Sequence, residues 1–523
     1  MIEEALTKGD RQVSKNRYSE GVLVDTGSST VGDEFYDAMD QEAESMAALS
    51  ISASGSELIS SESLICIGKA IPRTPSVEKL EELRIAERAV PAADITFIED
   101  DLKGYSELRR TRVPLGSDSI PPISIWNIIK NAIGKDLTRI PIPVNFSEPI
   151  SMLQRFCEDL EYADLLYLAS IAEDPLMRLQ YVAAFAISPY SSTDGRVSKP
   201  FNPLLGETFE YVSHEHGFRY VSEQVSHHPP ISACYCESAR FIYFAEVLVK
   251  TKFLKSLELV PEGLNHVILK NTNEHFSYRK VSTAVYNLIM GKMWLDHYGT
   301  MKLTNNTNGD HVELEFKATG WRTTDPRRLE GTVFDATGTP RYKLEGYWHR
   351  YMQSTNLATG EVKELWRRRA VPPWSPSTYN FTYLTMTLNE ITPELQRFLP
   401  PTDCRLRPDQ RAMEEGKFEE ANDIKIKLEE LQRARRKTME SMGTEWTPRW
   451  FTHDQCEPHT GEPYWRYLGG YWETRKTQSN PETEKQSWDE VVEIYKVDSE
   501  PSTESLSEPT LTKQSDDDIG QYS

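Results

Sequence analysis

Apolar and polar positions alternate through the middle of this 523-residue chain, from about residue 201 to residue 388. Runs that alternate with a period of two, at 208–212, 219–221, 241–244 and 312–316, predict short β-strands. Gly, Asn, Asp and Pro separate these runs. Many short strands in one segment predict a large antiparallel sheet or barrel rather than alternating βαβ units.

Helical periodicity lies on both sides of this β-rich segment. Residues 123–186 carry apolar positions at helical spacing and are predicted to be largely helical. Farther along, apolar residues recur at intervals of three and four, which predicts a helix from about Lys417 to Met439. Its apolar stripe consists of Ala421, Ile424, Leu428 and Leu431.

Charge and composition divide the chain into three parts. The formal net charge is -21, and residues 1–115 hold 22 acidic against 13 basic residues. We predict a mostly disordered arm over 1–115, a folded domain over 116–477 and a disordered acidic tail over 478–523. The folded part is only mildly acidic, which argues against nucleic acid as the main partner because phosphate binding needs a basic surface.

Six cysteines are scattered through the chain, and none forms a CxxC pair. The sequence therefore predicts no disulfide framework, and we expect no metal ligands and no cofactor. The N-terminus is acidic where a signal peptide would be basic, and apolar runs fall well short of the roughly 20 residues that span a bilayer. We expect a cytosolic protein with peripheral membrane contact.

The segment 223–230 reads EQVSHHPP. On its own it predicts a strand end with surface imidazoles, and a shared metal ion is disfavoured because neighbouring strand residues point to opposite faces. However, it resembles the signature of the oxysterol-binding protein-related family. The segments 145–149, 199–207 (KPFNPLLGE) and 405–409 (RLRPD) are also similar to that family.

The resemblance extends over roughly residues 120–475 and implies a fold. It is an α+β domain, mainly β, with a large antiparallel and nearly closed barrel around a lipid tunnel. An N-terminal lid and helices precede the barrel, and a C-terminal helical subdomain follows it. The family's known activity implies non-enzymatic lipid transfer.

The resemblance also implies a binding site for a phosphoinositide headgroup, taken to be that of phosphatidylinositol 4-phosphate. Imidazole, ammonium and guanidinium groups can all donate hydrogen bonds to phosphate oxygens. Taken alone, the late helix would be interpreted as a solvated ion ladder, and 199–203 as an ordinary polar turn. The implied site residues are Lys199, Asn202, His227, His228, Lys425, Glu429 and Arg433.

Residues 124–134 predict a short amphipathic helix with Ser124 as N-cap and Gly134 as its stop. Packing in the core is the commoner role of such a stripe, whereas its position resembles the lid of the family. The predicted contacts with lipid tails come from Ile125, Ile128, Ile129 and Ile133.

Residues 34–40 resemble an FFAT motif, in which aromatic residues in an acidic tract bind VAP-type proteins of the endoplasmic reticulum. A chance aromatic in an acidic arm is the alternative. The implied partner-binding residues are Glu34, Phe35, Tyr36, Asp37, Ala38 and Asp40.

Together these patterns predict exchange of a phosphoinositide for a sterol or another lipid at contact sites of the endoplasmic reticulum. A phosphoinositide sensor or tethering scaffold without net transfer is the alternative. A phosphatase is disfavoured because the chain has no GxSxG motif and two adjacent histidines alone do not make a catalytic set. The second lipid stays open because tunnel width depends on side chains that a sequence does not place.

Overall fold

A computed structural model describes residues 91–105, 110–117, 120, 143–253, 256–287, 292–320, 324–478, 488 and 491–496. Its helices are α1 (Ala92–Ile95), α2 (Met152–Cys157), α3 (Asp164–Ile171), α4 (Pro175–Ile187), α5 (Tyr383–Leu388), α6 (Pro408–Glu414), α7 (Phe418–Met442) and α8 (Tyr471–Thr477). None of these helices combines the length and the apolar character needed to cross a bilayer.

The strands of the described residues follow in chain order. They are β1 (Ser147–Ser151), β2 (Lys199–Phe201), β3 (Thr208–Ser213), β4 (Phe218–His227), β5 (Pro230–Ser238), β6 (Phe241–Val247), β7 (Val249–Phe253), β8 (Leu257–Pro261), β9 (Leu264–Leu269), β10 (Glu274–Arg279), β11 (Ser282–Tyr286), β12 (Trp294–Asn305), β13 (His311–Phe316), β14 (Arg328–Phe334), β15 (Pro340–Tyr347), β16 (Tyr351–Asn356), β17 (Val362–Arg367), β18 (Phe451–Asp454) and β19 (Tyr464–Tyr467).

Strands β3 to β17 form one antiparallel sheet, whose main path runs β17-β16-β15-β14-β13-β12-β10-β9-β6-β5-β4-β3. Strands β7, β8 and β11 branch from this path at β12. The predicted α+β class with a large antiparallel sheet is confirmed. The sheet is not closed, because β3 and β17 lie at opposite ends of the hydrogen-bonded path.

Alternation explains why these segments become strands. In β13, Val312 and Leu314 are fully buried, while Glu313 and Glu315 face solvent. Successive side chains of a strand point to opposite faces, so one face of β13 joins the core. The predicted strands at 208–212, 219–221, 241–244 and 312–316 are confirmed in β3, β4, β6 and β13.

Helix α4 fills the core against the sheet. Asp174 caps its start by accepting a hydrogen bond from the Leu176 N–H (3.2 Å), and Pro175 occupies the first turn, where its missing N–H costs nothing. Residues 182–187 are completely buried, and the helix packs against β13 and β17. Because α4 is apolar around most of its circumference, burial is the arrangement that stabilises it.

Both ends of the described chain pack against the domain. The Tyr105 hydroxyl donates to Oε1 of Glu210 in β3 (3.1 Å), and Nε of Arg475 in α8 donates to the same oxygen (2.8 Å). Farther along, Nε1 of Trp488 donates to the Phe398 carbonyl (3.1 Å). The packed domain thus includes residues that the sequence analysis assigned to the arm and the tail. Their few apolar positions give no periodic pattern, so only the contacts reveal them.

Candidate functional site

Three segments of the chain meet at the side chain of Gln432 in α7. Its Oε1 accepts a hydrogen bond from the Leu205 N–H (2.9 Å) in the loop between β2 and β3. Its Nε2 lies 2.6 Å from Nε2 of His227, the last residue of β4. Helix α7 therefore lies next to two other segments of the chain. These are residues 199–207, which include β2 and the loop after it, and residues 223–230 at the end of β4.

The contacts of Gln432 determine the protonation state of His227. Because the amide oxygen of Gln432 accepts from Leu205, its amide N–H must donate to His227 Nε2, which leaves the ring proton on Nδ1. Burial lowers the pKa of His227 to about 4, with further contributions from His228 and Arg436. His227 is therefore neutral at physiological pH and offers one N–H donor.

The two adjacent histidines lie on the same side of the strand end. Neighbouring residues of a continuous strand point to opposite faces, but β4 ends at His227 and His228 begins a turn. The ring centroids are 4.8 Å apart at an interplanar angle of 64°. His228 is exposed to solvent, whereas His227 is half-buried.

Lys199, Lys425 and Glu429 form a second cluster between β2 and α7. Burial and then the charge of Lys425 lower the pKa of Lys199 to about 8, although the carboxylate of Glu429 opposes the shift. Lys425 Nζ lies 2.6 Å from Glu429 Oε1. Lys425 is thus paired with Glu429, and the two lysines together carry one positive charge more than that carboxylate balances.

The remaining two predicted residues, Asn202 and Arg433, are exposed to solvent. Helix geometry explains the position of Arg433, because each four-residue step overshoots a full turn by roughly 40°. Arg433 therefore lies roughly 80° around the helix from Lys425, whereas Gln432 and Arg436 lie within about 20° of it. The stripe that faces the histidines contains Gln432 and Arg436, which sequence reasoning missed. Spacings of seven and eleven residues from Lys425 are the signal that could have found them.

The sequence model of the family described as "Oxysterol-binding protein" matches residues 124–476. The chain belongs to the oxysterol-binding protein family. This match contains all three segments that meet at Gln432, and it confirms the resemblance on which the predicted site was based.

Relatives and solved structures of the family are similar to most of the chain. It is 42% identical over 371 residues to oxysterol-binding protein-related protein 3 of Mus musculus, covering 70% of this chain and 42% of that protein. It is 41% identical over 395 residues to oxysterol-binding protein-related protein 1B of Arabidopsis thaliana, covering 74% and 77%. The chain thus spans about two fifths of the length of the mouse relative.

Two solved domains of the family have the same fold. The Osh1 ORD domain in complex with ergosterol is 38% identical, with a TM-score of 0.68, and the match covers 74% of this chain and 98% of that domain. The Osh3 ORD in complex with PI(4)P, from Saccharomyces cerevisiae, is 33% identical, with a TM-score of 0.63, and the match covers 74% and 99%.

In this member of the family, the RLRPD segment holds the loop between β2 and β3 in place. Arg407 Nη1 donates to the Asn202 carbonyl (2.6 Å) and lies 3.0 Å from Glu207 Oε2. Glu207 also accepts from the Leu204 N–H (3.0 Å). Both charged side chains are buried, so the loop that follows β2 and its Lys199 is fixed from inside the protein rather than by solvent-exposed contacts.

The first half of the EQVSHHPP segment has a structural role. The two carboxylate oxygens of Glu223 accept from the N–H groups of Arg449 and Trp450, both at 2.9 Å. Burial raises the pKa of Glu223 to about 7. Gln224 Nε2 donates to the Ser226 carbonyl (2.9 Å) across a bulge in β4. Among the eight residues, His227 is the one that contacts Gln432 of α7.

A short stretch of the C-terminal tail packs behind the site. Ile494 contacts Leu204 of the loop and Leu428 of α7 in one apolar cluster. The two terminal nitrogens of Arg435 donate to the carbonyls of residues 494 and 493 (3.1 and 3.2 Å). The Tyr495 hydroxyl donates to the Thr402 carbonyl (2.9 Å). The tail thus packs against both the loop and the helix.

Two of the predicted sets lie outside the described residues. They are the lid contacts Ile125, Ile128, Ile129 and Ile133, and the partner-binding residues at 34–40. Both sets stay predictions.

Gly206 gives a test of how tightly the loop is packed. Its φ is +79°, and a Cβ added there would lie 2.4 Å from Cζ2 of Trp446. We expect Gly206→Ala to lower the free energy of unfolding by about 1–3 kcal/mol more than Gly338→Ala, through overpacking. Urea unfolding of both variants measures the difference.

Gly338 is the matched control, because its φ is +80° and a Cβ there would have no neighbour within 4 Å. Both substitutions carry the same left-handed backbone strain, so their difference isolates the contact with Trp446. Equal losses in the two variants would contradict the close approach.

Proposed function

We propose that this domain binds the headgroup of a phosphoinositide between the β2–β3 loop, the end of β4 and α7. It exchanges that lipid for a sterol or another lipid between membranes, without a catalytic step. The observation that carries the proposal is the meeting of the three segments at Gln432. His227 contacts this side chain, and Lys199 and Lys425 lie on the β2 and α7 elements that meet there.

The groups at this meeting point suit a phosphate. Lys199 and Lys425 supply ammonium donors, and His227 supplies its Nδ1–H. Hydrogen bonds from charged donors to phosphate are roughly twice as strong as neutral ones. Arg436 adds positive charge next to His227. The basic groups are local, which fits a domain that is mildly acidic as a whole.

Solved relatives support the choice of the two lipid classes. One of them is in complex with PI(4)P and another with ergosterol. Carrying a lipid through water requires cover for its tails, because each exposed CH₂ costs about 0.8 kcal/mol. In the proposal, the sheet forms part of that cover and residues 124–134 close it.

A two-liposome transfer assay tests the proposal. Donor liposomes contain phosphatidylinositol 4-phosphate, acceptor liposomes contain a sterol, and fluorescent sensors follow each lipid. We expect the protein to move the phosphoinositide to the acceptors and to move the sterol faster when the phosphoinositide is present. Binding to the donors without movement of either lipid would favour the sensor or scaffold instead.

Lys199 makes headgroup binding depend on pH. Its pKa of about 8 in the ligand-free protein means that it loses its charge above pH 8, whereas an ordinary lysine stays charged. A phosphate binds the protonated form, so we expect affinity to be constant from pH 7 to 7.5. Above pH 8 it should fall by up to about tenfold per pH unit. Liposome co-sedimentation between pH 7 and 9.5 measures this profile.

The matched variant is Lys199→Arg, whose guanidinium keeps its charge over the whole range. Its profile should be flat. His227, with a pKa of about 4, stays neutral throughout and does not contribute. A wild-type affinity that is the same at pH 7 and 9.5 would contradict a role for Lys199 in binding.

The proposal also includes a cellular location. Residues 34–40 would attach the protein to VAP-type proteins of the endoplasmic reticulum, so that a cytosolic protein acts at contacts with a second membrane. A peptide spanning residues 20–45 should bind the partner domain, and the same peptide with Phe35→Ala should not. Equal binding of both peptides would remove this part of the proposal.

A further inference from the structure

Two buried histidines and a buried glutamate converge on the sheet away from the headgroup site. His266 Nδ1 lies 3.1 Å from His275 Nε2, and His275 Nε2 lies 3.8 Å from Glu457 Oε1. All three donor atoms lie within 4.8 Å of one another. The three residues are almost completely buried, with relative exposures of 2%, 0% and 3%.

We propose that His266, His275 and Glu457 bind a divalent transition-metal ion, with Zn²⁺ as the expected ion. Two imidazoles and one carboxylate are a donor set that suits zinc. In a tetrahedral zinc site, neighbouring donor atoms are roughly 3.3 Å apart. Two of the three separations, 3.1 and 3.8 Å, lie on either side of this value. The third joins His266 to Glu457 and is at most 4.8 Å, so the Glu457 carboxylate would move toward the two imidazoles when the ion binds.

The sheet positions the two histidines. In the β9–β10 pairing, His266 is opposite Ser277, and His275 precedes Ser277 by two residues. Both imidazoles therefore project from the same face of the sheet. The ring of Phe244 in β6 stacks on His266 with centroids 4.4 Å apart, which fixes the orientation of that ring.

The loop between β18 and β19 holds the Glu457 carboxylate in a fixed orientation. Glu457 Oε2 accepts hydrogen bonds from the N–H groups of His459 (3.0 Å) and Thr460 (2.7 Å), and from the Thr460 hydroxyl (2.9 Å). The other oxygen, Oε1, is the one that faces His275. Within the described residues, no lysine or arginine lies within ion-pair distance of Glu457. A buried carboxylate of this kind is normally paired with a cation or bound to a metal.

A second layer of contacts can prepare His275 as a ligand. The side-chain nitrogen of Asn306, Nδ2, lies 3.0 Å from His275 Nδ1 and donates to the Ser277 hydroxyl (2.9 Å). An amide can take either orientation, and with its oxygen toward His275 it would accept the Nδ1 proton. Nε2 of His275 would then carry a lone pair toward the metal, as metal-binding histidines require.

The ion would hold the β18–β19 hairpin on the sheet. Its ligands come from two adjacent strands and from a loop about 180 residues later, so no short motif such as CxxC indicates the site in the sequence. No metal ligands are expected from the sequence for this reason. The proposed site is independent of the proposed lipid function, because none of its three ligands contacts the loop 199–207, the histidine pair or α7 among the described contacts.

The test uses the full, untagged chain, stripped of metal with a chelator and then exposed to ZnCl₂. We expect one zinc ion per chain to remain after desalting, as measured by elemental mass spectrometry. We also expect a rise in Tm, because a ligand that binds only the folded state stabilises it. Co²⁺ in place of Zn²⁺ should give the visible absorption of a tetrahedral site.

Glu457→Gln is the decisive variant, because the amide oxygen can keep the hydrogen bonds to the loop while the NH₂ group cannot bind the metal. We expect at least a tenfold loss of zinc affinity, as is seen when even outer contacts of a metal site are removed. Glu462→Gln is the control on the same loop, since Glu462 pairs with Arg279 at the surface. It should bind zinc like the wild type.

Three results would overturn the inference: no zinc retained after desalting, equal zinc affinity in Glu457→Gln and the wild type, or equal loss in Glu462→Gln. In each case the cluster would be a hydrogen-bonded pair of histidines beside a carboxylate. If Glu457→Gln does not fold, His275→Gln takes its place with the same expected loss and the same control.

Discussion

Replacing Lys425 with alanine is expected to weaken binding to liposomes that contain phosphatidylinositol 4-phosphate by roughly tenfold to a hundredfold. A hydrogen bond to a charged group contributes about 1.5–3 kcal/mol, which corresponds to this range. The Lys425 side chain is 12% exposed and is paired with Glu429. Removing the amine also leaves that carboxylate facing the phosphate, so the loss should lie toward the upper end.

Lys427→Ala is the matched control. It lies on the same helix, removes the same charge and starts from an exposed side chain. Exposed charges contribute little beyond long-range attraction, so its affinity should stay within about twofold of the wild type at physiological salt. Liposome co-sedimentation at several lipid concentrations gives both affinities. Equal losses in the two variants would show that α7 acts only through its overall charge, and would contradict a specific headgroup site.

Replacing Arg407 with methionine is expected to lower the free energy of unfolding by about 3–5 kcal/mol, the usual cost of leaving a buried charge without its partner. Arg407 Nε lies 2.7 Å from Asp409 Oδ1, and Nη1 lies 3.0 Å from Glu207 Oε2. All three side chains are almost completely buried. The free energy of unfolding of a natural domain is about 5–15 kcal/mol in total, so the expected loss is a large fraction of it. The midpoint of urea unfolding, followed by tryptophan fluorescence, measures it.

The loss should also depend on pH in a defined direction. Burial already raises the pKa of Glu207, and removing the guanidinium raises it further. The uncompensated charges are those of Glu207 and Asp409, and each exists only while its carboxylate is ionised. The deficit of the variant is therefore largest at neutral pH and shrinks as acid protonates these carboxyls.

Arg328→Met provides the comparison for Arg407→Met. Arg328 pairs with Glu330 at 2.7 Å, but its side chain is 40% exposed. Such surface pairs contribute at most about 1 kcal/mol. A loss at Arg407 as small as that at Arg328 would mean that the buried network does not hold the loop.

Particular residues show how far the sequence leads toward the site. Lys199, Lys425 and Glu429 were named from the resemblance, and the structure places them together. The predicted helical face also included Arg433, whose position roughly 80° around α7 leaves it exposed. Gln432 was missed because an uncharged side chain does not by itself suggest a phosphate site, although its spacing of seven residues from Lys425 places it on the same face of α7. Its importance comes only from its two partners.

The ends of the domain illustrate the same limit. Tyr105 and Ile494 lie in segments whose composition predicts disorder, yet both are buried against the domain. Composition describes a segment on its own, whereas the burial of one or two apolar side chains depends on a surface formed elsewhere in the chain. Hydrophobic periodicity cannot predict that such short segments are packed, since a single buried residue forms no repeating pattern.

The sequence by itself determined the family, the strands and the late helix, because alternation with a period of two or 3.6 is a local property of neighbouring residues. Only the tertiary structure decided which face of α7 meets the loop, which ring nitrogen of His227 carries the proton, and which buried charges hold Lys199 in place. These features depend on contacts such as those of Gln432 with Leu205 and His227, across 227 and 205 positions of the chain. Such contacts exist only after the chain has packed, because their energy depends on distances and angles that no local pattern encodes.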